Sequence, residues 1–153
     1  METSNSKELI REIIIRSESK VWEQACLEWN LDGIHRAEIP ETCLCGHSPI
    51  IEICTIVNSI NGNTAEVGNI CAKKFMGFPS DQIFTCIKKI AADGNKGLNL
   101  ATIAFAHDKG WIGDWEKDFS VSTSKKRKLS QKQLYKREQI NNKVLAQVIY
   151  TRL

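Results

Sequence analysis

Residues that could bind a metal ion are concentrated in one short stretch of the sequence. Residues 42–75 contain four of the six cysteines and one of the three histidines: Cys43, Cys45, Cys54, Cys71 and His47. Thiolates are suitable ligands for zinc, and four of them close a structural tetrahedral site that needs no redox chemistry. The stretch therefore predicts one structural Zn²⁺ ion as the cofactor of this protein.

The order of turns around these cysteines indicates how their sulfur atoms could meet. Cys43-Leu44-Cys45-Gly46 predicts a tight turn that holds two sulfurs near one point. Asn61-Gly62 suits the central positions of a type I′ turn and predicts a β-hairpin. Gly68-Asn69 then predicts the start of a short helix with Cys71 in its first turn, where the helix dipole favours a thiolate. Turn, hairpin and helix together predict a zinc finger.

The fourth ligand depends on the register of the hairpin. A two-residue loop at Asn61-Gly62 would place Cys54 opposite Asn69, close to Cys71. Cys54 is therefore the favoured fourth ligand, and His47 is the alternative. Cys54 and Cys71 could instead be ordinary small apolar residues of the core, because free cysteine is among the most buried residue types.

The finger stretch resembles a known group of sequences. The resemblance is clearest over residues 42–77 and is carried by Cys43-x-Cys45-Gly46-His47 and by Val67-Gly68-Asn69-x-Cys71 with the residues up to Phe75. Similar fingers occur in small proteins of bacteria, of phages and mobile elements, and of large DNA viruses. The resemblance implies a treble-clef-like, zinc-binding, nucleic-acid-associated module. This chain departs from the treble-clef pattern at Lys74, where that finger normally has its last ligand.

Charge is distributed unevenly along the chain. The net charge is +3, but residues 124–143 contain eight basic residues and only Glu138 as an acid, which makes that segment +7. Clusters of this kind can neutralise phosphates. We expect nucleic acid, either DNA or RNA, to contact the basic residues of the finger helix and of this segment: Lys73, Lys74, Lys125, Lys126, Arg127, Lys128, Lys132, Lys136 and Arg137. The alternative is that the segment is only a solvated tether.

The remaining residues do not indicate an enzyme. His35, His47 and His107 have no evident nucleophile partner, and no glycine-rich phosphate loop is present. A catalytic zinc ion would need an open position, as a site of Cys43, Cys45, Cys71 and one water would provide. A second hypothesis is a protein-interaction module, from a phage or mobile element, that binds and modulates a host protein through the surface around Trp111 and Trp115.

Composition and periodicity predict an α+β, mainly helical fold around the small finger. The expected segments are N-terminal helices (1–39), the zinc finger (40–79), a helical part (80–119), a basic linker (120–129) and a C-terminal helix (130–153), all within one compact domain. Capping boxes at Asn5 with Glu8 and at Ser130 with Gln133 predict two helix starts. Without a secretory signal or an apolar run of about 20 residues, we expect a cytoplasmic protein with no membrane partner and with reduced cysteines.

Overall fold

The computed structural model describes residues 4–148, so positions 149–153 of the predicted C-terminal helix lie outside the described residues. The fold is α+β and mainly helical, which confirms the predicted class. The elements are α1 (Ser4–Arg16), α2 (Trp22–Ala25), β1 (Trp29–Glu41), β2 (Ile50–Asn58), β3 (Thr64–Gly68), α3 (Asn69–Lys74), α4 (Ser80–Ala92), α5 (Leu100–Asp108), α6 (Asp114–Thr123) and α7 (Gln131–Val148).

The three strands form one antiparallel sheet in the order β1-β2-β3. β1 corrects the assignment of residues 1–39 to N-terminal helices, because residues 29–41 are extended and the second helix is limited to α2 and one 3₁₀ turn. Asp32, Gly33 and Pro40 have low strand propensity, but β1 is an edge strand, where proline is tolerated. Pairing with β2, a long-range contact, decides the conformation of this segment.

The hairpin between β2 and β3 has a longer loop than predicted. Cys54 pairs with Val67, and not with Asn69, so the predicted register was wrong by two residues. The Asn58 side chain accepts hydrogen bonds from the amides of Ile60 and Asn61 (2.9 and 3.1 Å), which stabilises a loop over residues 59–62. Only Gly62 in that loop has positive φ (+78°), whereas a type I′ turn requires two such residues.

Asn61 in this loop and Asn63 directly after it attach the hairpin to the end of α1. The side-chain amides of Asn61 and Asn63 both donate to the carbonyl oxygen of Arg16, at 3.0 and 2.9 Å. A helix ends with carbonyl groups that lack partners inside the helix, so these bonds satisfy one of them. Asn61-Gly62 therefore lies in a hairpin loop that caps the end of α1, but it does not form the type I′ turn that this dipeptide usually indicates.

Internal contacts divide the chain into two units at the boundary between Ser80 and Asp81. The first unit contains the sheet and α1 to α3, and the second contains α4, apart from its first residue, and α5 to α7. The predicted finger (40–79) falls within the first unit. The predicted linker at 120–129 is shorter, because α6 continues to Thr123, whose hydroxyl donates to the carbonyl of Phe119 at 2.7 Å.

The second unit has helix starts that the sequence predicts well. Asn99 caps α5 by accepting a hydrogen bond from the amide of Thr102 (2.9 Å). Ser130 and Gln133 form the predicted capping box before α7, with reciprocal bonds of 2.9 and 3.2 Å. Four apolar residues that share one face of α4 are buried: Ile83, Phe84, Ile87 and Ile90. No helix in residues 4–148 has the length and apolar character that crossing a bilayer requires.

Candidate metal centre

Three of the predicted ligands come together in the first unit. The Sγ atoms of Cys43, Cys45 and Cys71 all lie within 4.8 Å of one another, and all three residues are buried. Thiolates at about 2.3 Å from a tetrahedral zinc ion would lie roughly 3.8 Å apart, so little movement would be needed. No other group of three or more potential ligands is this close within the described residues. The cluster could therefore hold a metal ion.

The first two candidate ligands, Cys43 and Cys45, are positioned by a tight turn before β2. The amide of Gly46 donates to the carbonyl of Cys43 (2.8 Å), and the amide of Cys43 donates to the carbonyl of His47 (2.9 Å). Gly46 has a φ of +91°, a conformation that glycine adopts without the steric cost of a Cβ atom. This turn confirms the prediction that Cys43 and Cys45 direct their sulfurs to one point.

The third candidate ligand, Cys71, lies on the helix that follows the hairpin. α3 begins at Asn69, after Gly68 as its N-cap, so Cys71 is the third residue of the helix, as predicted. Gly68 also pairs with Ile53 in the sheet, which fixes the start of α3 against β2. The side-chain amide of Asn69 donates to Glu52 Oε1 on β2 at 3.2 Å. Sheet and helix start therefore position Cys71 together.

Hydrogen-bond donors surround the sulfur atoms. The amide of Gly68 donates to Cys43 Sγ (3.2 Å), and the amide of His47 donates to Cys45 Sγ (3.4 Å). The side-chain amide of Asn5 also donates to Cys45 Sγ, at 3.7 Å. Such donors stabilise thiolates and orient metal ligands. The predicted N-cap role of Asn5 was wrong, because Asn5 lies inside α1, and no local pattern indicates a contact 40 residues away.

A hydrogen bond between two thiols of the cluster shifts the pKa values of Cys43 and Cys71 in opposite directions. A hydrogen bond from the Cys71 thiol, helped by the amide of Gly68, lowers the pKa of Cys43 to about 5 although burial opposes the shift. The pKa of Cys71 is raised, because its proton is held by the Cys43 thiolate and because the side chain is buried. The cluster thus combines a thiolate with a thiol whose proton a metal ion would displace.

Cys54 does not belong to this group. Its side chain is fully buried, and burial raises its pKa to about 12 although the Ser80 side chain hydrogen-bonds to the thiol. Cys54 was favoured as the fourth ligand because of a hairpin register that the structure does not have. It matches the alternative expectation of a small apolar core residue.

The ring nitrogens of His47 are also outside the group of ligand atoms that lie within 4.8 Å of one another. His47 lines a cavity of about 500 Å³ together with Cys43, Cys45 and Cys71, whereas Cys54 does not line it. The apolar part of the wall consists of Pro49, Ile50, Ile51, Ile70 and Phe75. His47 is exposed. Its backbone amide donates a hydrogen bond to the sulfur of Cys45, two residues earlier in the chain.

The predicted basic residues differ in their surroundings. Lys73 and Lys74 are exposed on α3 of the first unit, and the four residues of the run Lys125–Lys128 are all exposed before α7 in the second. Lys132 is exposed, while Lys136 lies over the ring of Trp115. Arg137 donates to the carbonyls of Thr123 (2.6 Å) and Asn95 (3.1 Å), and burial lowers its pKa. Arg137 thus uses its guanidinium within the fold.

Comparison of the chain with protein-family models, with curated proteins and with solved structures finds no match. Function is therefore inferred from the residues of this chain and their geometry.

Proposed function

We propose that this protein is a non-catalytic zinc-binding protein that binds nucleic acid. The observation that supports the metal most directly is the group of three buried cysteine sulfurs within 4.8 Å, each supplied by a turn or a helix start. Zinc suits a thiolate site whose role is structural. All six cysteines are free, in keeping with the reducing cytoplasm in which we expect the protein to act.

We assign the fourth ligand to His47. It lines the same cavity as the three cysteines, and a tetrahedral site of three thiolates and one imidazole is a common structural zinc site. The resulting arrangement of turn, β2–β3 hairpin and α3 is treble-clef-like, with His47 replacing the ligand that is missing at Lys74. A catalytic ion would keep its fourth position open for water, whereas His47 closes it.

Nucleic acid is the proposed partner because of the exposed cations. Lys125–Lys128 are four consecutive exposed basic residues in an irregular segment, where side chains can adapt to a phosphate backbone. Lys73 and Lys74 offer two further cations on the finger helix. The resemblance to fingers of phages and mobile elements agrees with this partner.

The metal is tested by elemental analysis of protein purified without chelators. We expect one equivalent of zinc per chain, and loss of that zinc in Cys43→Ser and Cys71→Ser. Cys26→Ser is the matched control, because Cys26 is outside the cluster and should keep the metal. Well under one equivalent of any metal in the parent protein would contradict the metal part of the proposal.

The nucleic-acid part is tested by the dependence of affinity on salt. Replacing Lys125–Lys128 by alanine should weaken binding to unrelated sequences about equally. The slope of log affinity against log salt should fall by roughly 0.7 to 0.9 for each phosphate that the variant no longer neutralises. A variant that removes four charges elsewhere in the second unit, at Lys88, Lys89, Lys96 and Lys117, is the control and should retain the slope. Equal slopes for the parent and the Lys125–Lys128 variant would contradict the proposal.

One observation supports the alternative hypothesis of a protein-interaction module. The side chain of Trp115 is 60% exposed on α6, whereas Trp111 packs edge-on against Phe105 with ring centroids 5.3 Å apart. Exposed aromatic residues can anchor a protein partner. A protein that keeps its zinc but binds no nucleic acid at low salt would favour this second function.

A further inference from the structure

An aromatic surface on α6 is not used by the metal centre or by the basic run. The rings of Trp115 and Phe119 lie one helical turn apart with centroids 5.4 Å apart and planes 13° from parallel. The four tryptophans all fall within the described residues, and Trp115 is the one that is mostly exposed. Two nearly parallel rings at the surface offer a π-face to a ligand.

Cations from α7 border these rings. Lys136 Nζ lies 5.0 Å from the centroid of the Trp115 ring. Lys143 Nζ pairs with Glu116 Oε2 at 2.7 Å, and Arg137 donates to the carbonyl of Thr123, so both ends of α6 are attached to α7. Lys132 precedes Lys136 by four residues and therefore shares its helix face, about 6 Å away along the axis.

We propose that Trp115 stacks on a base of single-stranded nucleic acid while Lys132 and Lys136 contact the adjacent phosphates. This inference rests on the proposed nucleic-acid binding and specifies its substrate class. In a duplex each base is covered by its neighbours, so an aromatic side chain reaches a base face only if a base step is unstacked, which costs a few kcal/mol. In a single strand the base faces are accessible, and stacking on aromatic side chains is combined with a basic groove for the backbone.

The neighbours of Trp115 favour a nucleic acid over a protein as the occupant. A single exposed aromatic residue is common and needs no explanation. Here the ring lies beside a parallel second ring and under the ammonium group of Lys136, which belongs to residues 124–143, the segment with a net charge of +7. The ammonium groups of Lys132 and Lys136 favour an anionic ligand with flat, stackable groups. The exposed carboxylates of Asp114 and Asp118 on α6 oppose an anion, so the proposal depends on the cations of α7. The Lys136 ammonium can move from the ring to a phosphate when a base takes its place.

The test compares binding of a 20-nucleotide oligo-dT strand and of a mixed-sequence 20-base-pair duplex at the same salt concentration. We expect the parent to prefer the single strand. Trp115→Ala should weaken single-strand binding by roughly 5- to 150-fold and leave duplex binding unchanged. Trp115→Phe should retain most of the affinity but lose the quenching of tryptophan fluorescence that stacking causes. Leu100→Ala, which removes another largely exposed apolar side chain of the second unit, is the control.

The outcomes separate this inference from the proposed function. Unchanged single-strand affinity in Trp115→Ala, with weakened binding in the Lys125–Lys128 alanine variant, would overturn the stacking role and keep nucleic-acid binding. Equal affinity of the parent for strand and duplex would also overturn it. Absence of any nucleic-acid binding by the zinc-loaded parent would overturn both. Circular dichroism and zinc content of each variant establish that it is folded.

Discussion

Cys43 and Cys54 lie in the same stretch, but the groups around their sulfur atoms shift the pKa values of the two thiols in opposite directions. The Cys71 thiol and, to a smaller extent, the amide of Gly68 donate hydrogen bonds to Cys43 and lower its pKa to about 5. Burial raises the pKa of Cys54 to about 12. The sequence shows both as cysteines near a hairpin, so the distinction depends on hydrogen bonds and register that only the folded chain provides.

The fourth ligand can be identified by two substitutions. We expect His47→Ala to lower zinc affinity strongly, because a three-thiolate site lacks one protein ligand. Cys54→Ala should keep one equivalent of zinc, since Cys54, unlike His47, does not line the cavity that the three sulfurs line. Zinc content and competition with a chromogenic chelator measure both effects. Loss of zinc in Cys54→Ala, with retention in His47→Ala, would reverse the assignment.

Asn5 should tune the metal without binding it. Asn5→Ala removes the amide that donates to Cys45 Sγ at 3.7 Å. Loss of a group that supports a ligand typically reduces metal affinity 10- to 100-fold, and we expect about 10-fold because this contact is long. Lys7→Ala, an exposed change on the same helix, should have no effect. Zinc affinity at constant pH is the measurement, and equal affinity in both variants would exclude a role for Asn5.

At the scale of elements, signals carried by neighbouring residues predicted the structure well. The capping box at Ser130 and Gln133, the N-cap at Asn99 and the start of α3 after Gly68 all involve residues within three positions of one another. β1 was not predicted because it depends on pairing with β2. The hairpin register was wrong because the loop is two residues longer than predicted. The side chain of Asn58, which accepts a hydrogen bond from the amide of Ile60, stabilises this loop together with Asn61-Gly62.

We expect the capping box of α7 to contribute measurably to the free energy of unfolding. Ser130→Ala removes the side-chain acceptor of the Gln133 amide, and N-cap losses of this kind cost about 0.5–2 kcal/mol. We expect a decrease of this size in the free energy of unfolding from urea denaturation. Gln139→Ala, an exposed change within α7, is the control and should be nearly neutral. A neutral Ser130→Ala would mean that α7 frays at its start without a cost.

A buried carboxylate connects three parts of the first unit. Glu28 accepts hydrogen bonds from the amides of Glu18 and Ser19 and from the side chain of Asn58, each at 2.8 Å. The bond from Asn58, and then that from Ser19, hold the pKa of Glu28 below its usual value. The loop after α1, the 3₁₀ turn and the end of β2 are therefore linked by one charged group.

This link predicts a dependence of stability on pH. Because the folded-state pKa of Glu28 is lowered, its contribution is complete above the unfolded value of about 4.5 and is lost as pH falls through the folded value. Glu28→Gln should be less stable than the parent at pH 7, and the difference should shrink below about pH 4.5. Zinc loss in acid affects both proteins alike. A difference in unfolding free energy that stays constant down to pH 3 would contradict this.

At the scale of the whole molecule, the metal ligands and the basic run belong to different units. All three clustered cysteines precede Ser80, whereas Lys125–Lys128 follow it. Metal binding at a site that the unfolded chain lacks contributes folding free energy to the unit that contains the site. The second unit has capped helices and its own buried apolar side chains, such as Ile87, Ile103 and Ile140.

Removing the metal should therefore unfold the two units unequally. After exhaustive chelation we expect hydrogen exchange to increase first in β2, β3 and α3, since the turn at Cys43 and the start of α3 would lose their common ligand. Exchange in α5 and α7 should change much less, because none of the clustered cysteines lies there. Re-addition of zinc should restore protection, which distinguishes metal loss from irreversible oxidation of the thiols. Unchanged exchange in the sheet and α3 after verified zinc removal would show that the fold of the first unit does not depend on the metal.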